Sequence, residues 1–501
     1  MKKMTWKMRL LGGLVAVSML FAGCAQGADC DETFQSTVTN TQLESPDASS
    51  IAFALVTNAA GVEQVKASWP LSKGAGGYEV SVANVNDVNN PEYLLQNEVV
   101  DGTSVTFSLF EDTNYEISVR TLGNASFNNK EAETASVVTY STMIGGQAIP
   151  DGSEIGKFIT DWMVAHLDEY KAAIAADSNF EFAFDLAAGG NYTLDTPAEF
   201  GPIPVRLRGV QGNRPVVVVG EAAALNPSNG LKIKNVNFDC AKMKGDVGAR
   251  GLISMQVDPE ESVIGVQTYY CQKPIRMEAC WVKELPVSIL NIDKCAWGLE
   301  EFRITDCIIQ FNNRLDSDWK TAINAWQNIG RLRGEDNKCW YGGISNTFIA
   351  NSTLYNIWPS ETIKDKGYFL RFANADISKW SGSTAGQFEI KNSTIVRLSP
   401  RKQFGNNLGK TNQYTNRFVN SIFWDCWRLN KAKNGSSVQV MENNTIWGVF
   451  QKVDGSDASY AKEENPGFTD DNIFKVLDFS QPNGGVNFTP TTGNGDPRWL
   501  K

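Results

Sequence analysis

Histidine is almost absent from this chain of 501 residues, which contains only His166. That residue falls on the apolar stripe of a predicted helix, where we expect a partly buried structural role. Serine and cysteine hydrolases with a catalytic histidine, H-E-x-x-H metalloproteases and metal sites built from several histidines are therefore excluded.

Several other chemical motifs are missing as well. The chain has no G-x-x-x-x-G-K-S/T and no strand-linked G-x-G-x-x-G phrase, so a nucleotide is not expected. None of its nine cysteines forms a C-x-x-C pair, which removes zinc ribbons and thioredoxin-like redox motifs. The net charge of -10 and the pI near 5.0 argue against a nucleic-acid partner. Carbohydrate chemistry is the class that remains.

The N-terminus has the pattern of an export signal. Four basic residues precede an apolar run from Leu10 to Ala22, which is short for a membrane span. The run ends in Leu20-Phe-Ala-Gly23-Cys24, which resembles a bacterial lipobox. We therefore expect residues 1–23 to be a lipoprotein signal peptide and Cys24 to be acylated, which would anchor the protein to a membrane.

A six-residue phrase recurs through the second half of the chain: apolar, any residue, Asn-like, small, any residue, apolar. Its third residues are Asn235, Ala279, Asp306, Asn351, Asn392, Asn420 and Asn443. The spacings between copies are 44, 27, 45, 41, 28 and 23 residues. Three of these fit one solenoid turn of roughly 20–30 residues, and three fit two turns.

The alternation of inward and outward residues slips by one at the third position of this phrase. Asn and Asp tolerate the left-handed backbone region best among non-glycine residues, so the pattern predicts two short strands joined by a one-residue bend. Asparagines at this position are expected to stack and hydrogen-bond between turns. At the fourth position, Cys280 and Cys307 are predicted to be small buried residues. Ordinary strands of a β-sandwich that share Asn by chance are the alternative.

These observations give an all-β fold class. Residues 33–143 show alternating strands with Trp69 and Tyr115 placed as in a fibronectin type III-like β-sandwich. Residues 153–501 are predicted to form a right-handed parallel β-helix, with one helix over 153–176 as its N-terminal cap and Ser153 as N-cap. Strands for a third face are predicted at 252–257, 321–326 and 368–373. The tail that ends in Gly495-Asp-Pro-Arg-Trp499 is expected to cap the other end.

Long insertions between the repeats are expected to carry the function. Aromatic residues that could stack on sugar rings lie in or beside them: Trp319, Trp326, Trp340, Tyr341, Trp358 and Trp380. A polysaccharide lyase would need a basic residue as its base and usually Ca²⁺ held by carboxylates. Arg371, expected to point outward from a face strand, is the candidate base, and Asp316 and Asp318 are the candidate calcium ligands.

The order of segments resembles Bacteroidetes-type surface lipoproteins that carry a fibronectin-like module before domains of unknown function on a pectate-lyase-like β-helix. The Cys24 lipobox, the Asn-Ser-Thr phrases at Asn351 and Asn392, and the terminal Gly-Asp-Pro-Arg-Trp carry this resemblance. It implies an outer-membrane protein, exposed at the cell surface, that binds polysaccharide in a glycan-utilisation system. The W-I-D-H and R-x-P-x-x-R phrases of better-known pectate lyases are absent. A calcium-dependent uronate lyase and a structural or adhesive envelope protein are the alternatives.

Overall fold

The computed structural model describes most of the chain after residue 37. The described residues are 38–244, 251–255, 269–292, 297–313, 323–325, 343–358, 368–372, 377, 383, 385–399, 404–406, 413–426, 429, 437–448 and 461–500. They form two compact units that divide between Met143 and Ile144. In these parts of the chain, no helix is both long and apolar enough to cross a membrane.

The first unit consists of antiparallel strands in two sheets of three and four strands. Its strands are β1 Ala52–Thr57, β2 Glu63–Ser68, β3 Gly77–Asn84, β4 Glu92–Val100, β5 Ser104–Ser108, β6 Asn114–Leu122 and β7 Ser136–Ser141. The sheet orders are β1-β2-β5 and β4-β3-β6-β7. Alternation of apolar and polar residues in the sequence marks most of these strands but not β4. That strand lies at a sheet edge and is largely exposed, so it lacks the alternation that marks a half-buried strand.

The predicted aromatic positions lie in the core of this unit. Trp69 is 5 % exposed and packs edge-on against Tyr78 at 5.4 Å between ring centroids. Tyr115 is fully buried, and its hydroxyl donates to the Ser108 carbonyl at 3.1 Å and accepts from the Phe110 N–H at 2.6 Å. These two bonds fix the chain at the start of β6.

The second unit begins with a strand and two helices rather than one. These are β8 Gly146–Ile149, α1 Ile155–Ala165 and α2 Leu167–Ala176, with the break at His166. The N-cap is Glu154 instead of Ser153, because its carboxylate accepts from the Gly156 and Lys157 N–H groups. The same carboxylate accepts from the Asp195 N–H at 2.8 Å, which ties the helix to the strands that follow.

The remaining strands form three long sheets, here called sheets 1, 2 and 3. Sheet 1 contains β8, β9 Phe182–Leu186, β12 Val205–Arg208, β15 Leu231–Lys234, β18 Tyr269–Cys271, β19 Ile275–Glu278, β22 Trp297–Thr305, β25 Gly343–Ala350, β28 Ala385–Lys391, β31 Gln413–Val419 and β33 Ser437–Glu442. Sheet 2 contains β10 Asn191–Leu194, β13 Val216–Val219, β16 Asn237–Asp239, β20 Trp281–Leu285, β23 Ile308–Phe311, β26 Thr353–Asn356, β29 Thr394–Val396, β32 Ile422–Trp424, β34 Asn444–Trp447 and β35 Ala461–Glu463. Sheet 3 contains β11 Ala198–Gly201, β14 Leu225–Pro227, β17 Gly251–Ser254, β21 Ser288–Asn291, β24 Ile323–Ala325, β27 Leu370–Phe372 and β30 Gly405–Asn406.

From β9 to β17 and from β19 to β32, successive strands visit sheets 1, 2 and 3 in turn, and neighbours within each sheet are parallel. This arrangement is compatible with a parallel β-helix. Neighbouring copies of the repeat phrase lie on adjacent strands of sheet 1, so the prediction that the three longest spacings span two turns is wrong. The three strands predicted for a third face are β17, β24 and β27, and all three lie in sheet 3. The inward residues of the sheets form one continuous apolar core, which α1 and α2 join through Ile155, Ile159, Met163 and Tyr170.

The bend predicted within the repeat phrase occurs in every copy. All seven third-position residues have positive φ, between 47° at Asn392 and 56° at Asn235. Each forms the corner between a sheet 1 strand and a sheet 2 strand. Four of the asparagines form a ladder in which Asn392 donates to Asn351 at 3.2 Å, Asn420 to Asn392 at 2.9 Å, and Asn443 to Asn420 at 2.6 Å.

A second ladder runs through the fourth position of the phrase, inside the coil. The hydroxyl of Ser352 accepts from the Cys307 N–H at 3.0 Å and donates to the Ala350 carbonyl at 2.7 Å. Ser393 and Ser421 repeat this pattern one and two turns further on. A buried hydroxyl is tolerated here because both its donor and its acceptor are satisfied. Cys280 and Cys307 are buried, as predicted, and the five described cysteines are free thiols.

The C-terminal tail does not cap the end of the coil, contrary to expectation. After β35, residues 468–499, including α3 Asp470–Phe474, pack across the outer face of sheet 2, where Phe468, Phe488 and Trp499 cover an apolar surface. The Trp499 indole N–H donates to the Thr353 hydroxyl at 2.7 Å, which in turn donates to Asp496 at 2.8 Å. Many outward residues of sheet 2 are apolar, among them Trp281, Ile308, Val396 and Ile422, so this face would otherwise leave a large hydrophobic area in water.

The corner geometry predicts opposite effects at two positions. Asn392→Ala loses two ladder bonds and the residue type that tolerates positive φ, so the free energy of unfolding should fall by about 2–3 kcal/mol. Ala279→Asn, at a corner that already has φ 51°, should raise it by about 0.5–1 kcal/mol. Chemical denaturation of the full chain measures both.

Asn483→Ala, at φ 52° in an exposed turn, is the control that loses only the conformational preference. Equal losses for Asn392→Ala and Asn483→Ala would contradict a contribution from the ladder.

Docking of the tail should depend on pH through Asp496. This carboxyl is 1 % exposed, and burial raises its pKa to about 6 despite the neighbouring Arg498 and the bond from Thr353. Because the pKa of Asp496 is higher in the docked tail, its carboxyl stabilises docking fully below about pH 4. This contribution, roughly 3 kcal/mol in all, is lost as the pH rises through 6. Hydrogen exchange of residues 486–499, corrected for the intrinsic rate, should show weaker protection at pH 8 than at pH 5.

Asp496→Asn should remove this difference, whereas Asp478→Asn, at an exposed tail carboxylate, should retain it. Protection in the wild type that is equal at the two pH values would rule out the burial of a titrating carboxyl as the cause.

Candidate functional site

The strand register puts Arg371 on the predicted side of sheet 3, but its side chain is not exposed. Leu370 faces the core and is fully buried, so Arg371 belongs to the outward column of sheet 3, paired with Asn324 and Asn406. However, it is only 7 % exposed, and its guanidinium carbon lies 5.4 Å from the centre of the Tyr368 ring. Arg371 therefore faces outward from its strand, as the alternation predicted, but its side chain is buried. The outer face of sheet 3 is itself buried, as Asn291 at 0 % exposure in the same column demonstrates.

Of the aromatic residues predicted to stack on sugars, the structure describes Trp358. It is half-buried, and its indole N–H donates to the Asn312 side chain at 2.7 Å. The other predicted residues lie outside the described parts of the chain: Trp319, Trp326, Trp340, Tyr341, Trp380, the calcium candidates Asp316 and Asp318, and the lipidation candidate Cys24. Within the described ranges, no cluster of three or more His, Cys, Asp or Glu side chains could hold a metal ion.

The outer face of sheet 1 carries a feature that sequence analysis missed. Its register places Arg206, Lys232, Arg276 and Arg303 in one column on four consecutive turns. We call these four residues the basic column. Neighbouring strands lie about 4.8 Å apart, so the column spans roughly 14 Å along the coil. On the next turn Phe348 continues it, with the Arg303 guanidinium 4.2 Å from the ring centre.

Two carboxylates partly neutralise the basic column. Glu181 accepts from Arg206 at 2.5 Å and from Lys232 at 3.0 Å, and these side chains are only 10–15 % exposed. Glu301 bridges Arg276 at 2.9 Å and Arg303 at 3.0 Å, and these two arginines are about one-third exposed. Burial opposes ionisation of Glu301, but the bond from Arg303 and the charge of Arg276 prevail and lower its pKa below the usual range. Arg276 and Arg303 are thus the accessible part of the column.

A parallel column, two residues further along each strand, contains further ion pairs. Arg208 donates to Asp185 at 2.7 Å, and Lys234 pairs with Glu278 at 3.0 Å. The two columns and the carboxylates paired with them hold six basic and four acidic side chains. This face therefore has a local positive surplus on a chain whose net charge is -10.

Next to this face, Glu300 is held by neutral partners. It accepts from the Tyr270 hydroxyl at 2.8 Å and from the Asn346 amide at 3.3 Å. Burial and this bond raise the pKa of Tyr270, so its hydroxyl remains a donor. Glu300 is therefore fixed in place without using the basic column.

The sequence did contain a signal for the basic column. Lys232, Arg276 and Arg303 each stand directly before the first apolar residue of a repeat phrase. Because that apolar residue faces the core, the residue before it must face outward. Aligning the repeats one position further upstream would have revealed basic residues on consecutive turns.

These observations define a mostly β protein whose larger unit is built from long parallel sheets compatible with a β-helix. Residues 3–189 are similar to a family described as a domain of unknown function, DUF4992, and residues 190–319 to another such family, DUF4957. No curated protein matches the chain. The two matches meet between β9 and β10, so the first covers the antiparallel unit, both helices and the first strands of sheet 1.

The burial of Arg371 predicts a structural effect for its removal. Arg371→Ala should lower the free energy of unfolding by about 2–4 kcal/mol, because it leaves a cavity and unpaired polar groups in a buried layer. Arg276→Ala, at a one-third-exposed site in sheet 1, should cost less than about 1 kcal/mol. Chemical denaturation of both variants distinguishes the two sites. An Arg371→Ala protein as stable as the wild type would contradict a buried structural role.

Proposed function

We propose that this protein binds an extended acidic polysaccharide along the outer face of sheet 1, as a lipid-anchored protein of the cell surface. The observation that carries the proposal is the basic column, with one cationic side chain on each of four consecutive turns. A linear polyanion that lies along the coil would meet the accessible guanidinium groups of Arg276 and Arg303 on consecutive turns. A neutral polymer would have no such partner.

Arg276 and Arg303 supply the recognition. A guanidinium group donates two parallel hydrogen bonds to a carboxylate, which suits the carboxylate of a uronic acid. Glu301 now occupies those donors, so it orients both arginines in the free protein and competes with the ligand. The Phe348 ring beside Arg303 offers an apolar surface for a sugar ring.

The rest of the chain would present this face. After removal of residues 1–23, acylated Cys24 would hold the protein at the outer membrane, and a fibronectin type III-like unit would act as a spacer. The hydroxyl bonds of Tyr115 and the buried Trp69 support that assignment. Helices α1 and α2 would cap a right-handed β-helix, which the burial of Ile155 and Ile159 in the coil core supports.

A paired-charge series tests the binding proposal. The full mature chain is run through gels loaded with polygalacturonate, alginate or a neutral glucan. The acidic gels should retard the wild type, and Arg276→Glu with Arg303→Glu should abolish most of the retardation. Glu301→Gln should increase it, because both arginines lose their internal competitor while the fold is kept.

Lys66→Glu with Lys73→Glu, an equal charge change at two exposed positions of the antiparallel unit, should leave retardation unchanged. Parallel ultraviolet absorbance detects unsaturated ends: product that depends on Ca²⁺ would overturn simple binding and indicate a uronate lyase. No retardation by any acidic polymer would reject the proposal and favour a structural or adhesive role.

A further inference from the structure

An open cavity of about 670 Å³ lies where α1 and α2 meet the first strand of the coil. Aromatic rings form much of its wall. Trp162 stacks on His166 at 4.2 Å between ring centres, His166 on Tyr170 at 5.8 Å, and Phe182 lies 4.6 Å from Tyr170. Trp162 and His166 are half-buried, so their rings remain accessible from the cavity.

The cavity offers hydrogen-bond acceptors to a ligand. The Trp162 indole N–H is already used in a 2.8 Å bond to the Tyr170 hydroxyl. The Nδ1 atom of His166 lies 2.9 Å from the Trp162 carbonyl oxygen, which can only accept, so the proton resides on Nδ1. In the neutral ring Nε2 is then an acceptor.

Three carboxylates complete the lining, and no Lys or Arg belongs to it. Glu181 is neutralised by Arg206 and Lys232. Glu169 and Asp177 are exposed, and neither forms an ion pair with any residue that the structure describes. Lys273 lies beside the cavity, where its ammonium group donates to the Asn179 side chain at 3.5 Å. With the two exposed carboxylates of Glu169 and Asp177 against this one cation, the cavity combines net negative charge with aromatic rings, unlike the basic column on the outer face of sheet 1.

We propose that this cavity binds a protonated amine. An ammonium group donates to these acceptors, gains from the charges of Glu169 and Asp177, and is attracted to the face of the half-buried Trp162 ring. The amine of an amino sugar and the side chain of a lysine in a peptide share this chemistry. The inference does not depend on polysaccharide binding by sheet 1.

Matched charged and neutral probes test it, with the full mature chain in an isothermal titration at pH 7.5. Glucosamine is paired with N-acetylglucosamine, and Nα-acetyl-lysine amide with Nα-acetyl-norleucine amide. At least one charged probe should bind, and its neutral partner should not. Binding of glucosamine alone identifies the amino sugar as the source of the amine, and binding of the lysine probe alone identifies the peptide.

Single variants locate the site. Glu169→Gln should weaken binding of the charged probe about two- to fivefold, as expected for one partly screened charge. Trp162→Leu should weaken it about three- to tenfold by removing the ring, with circular dichroism confirming that the helices persist. Asp168→Asn makes the same charge change one residue away, outside the cavity lining, and should have no effect.

Equal binding of charged and neutral probes would overturn the proposal, and so would equal effects of Glu169→Gln and Asp168→Asn. The proposal would also be rejected if neither glucosamine nor the lysine probe bound.

Discussion

The coil depends on one backbone constraint, a single residue held at positive φ at each corner between sheets 1 and 2. That residue lets two consecutive strands both present their apolar residues to the core. Asn satisfies the constraint at least cost and adds a side chain that bonds to the corner of the next turn. The serine ladder just inside the corner then pairs backbone N–H groups that the bend removes from the regular sheets. Packing, hydrogen bonding and register therefore all follow from the same position.

The constraint also explains how much of the fold the sequence predicts. Corners and third-face strands recur with the repeat, so their positions follow from alternation alone. Elements that do not recur were harder to place. The tail residues Phe468 and Phe488 are apolar enough to cover either the end of the coil or the outer face of one sheet. Outward apolar residues of sheet 2 make that face the one they cover. Glu154, rather than the predicted Ser153, is the N-cap because its longer side chain reaches both the helix and the strands that follow.

The candidate site was less predictable, for a physical reason. Alternation gives the side of a strand on which Arg371 lies, but exposure depends on what packs over that side. Most of the predicted stacking aromatics fall in insertions outside the described residues. By contrast, Arg276 and Arg303 form part of the repeat itself, so their alignment is a consequence of register. A long coil with one repeated basic position naturally offers a linear array of charge, which is the form that an extended acidic polymer requires.

The most direct test of this account is a hydrogen-exchange footprint of the mature chain with and without a saturating acidic oligosaccharide, such as an oligogalacturonate. Ligand should slow exchange in segments 231–234, 275–278 and 301–305, which carry Lys232, Arg276, Arg303 and Glu301. It should leave sheet 3 strands such as 288–291 unchanged. Two results would contradict the assignment of binding to the outer face of sheet 1. One is protection confined to sheet 3, and the other is no protection in any segment at a ligand concentration that retards the protein in gels.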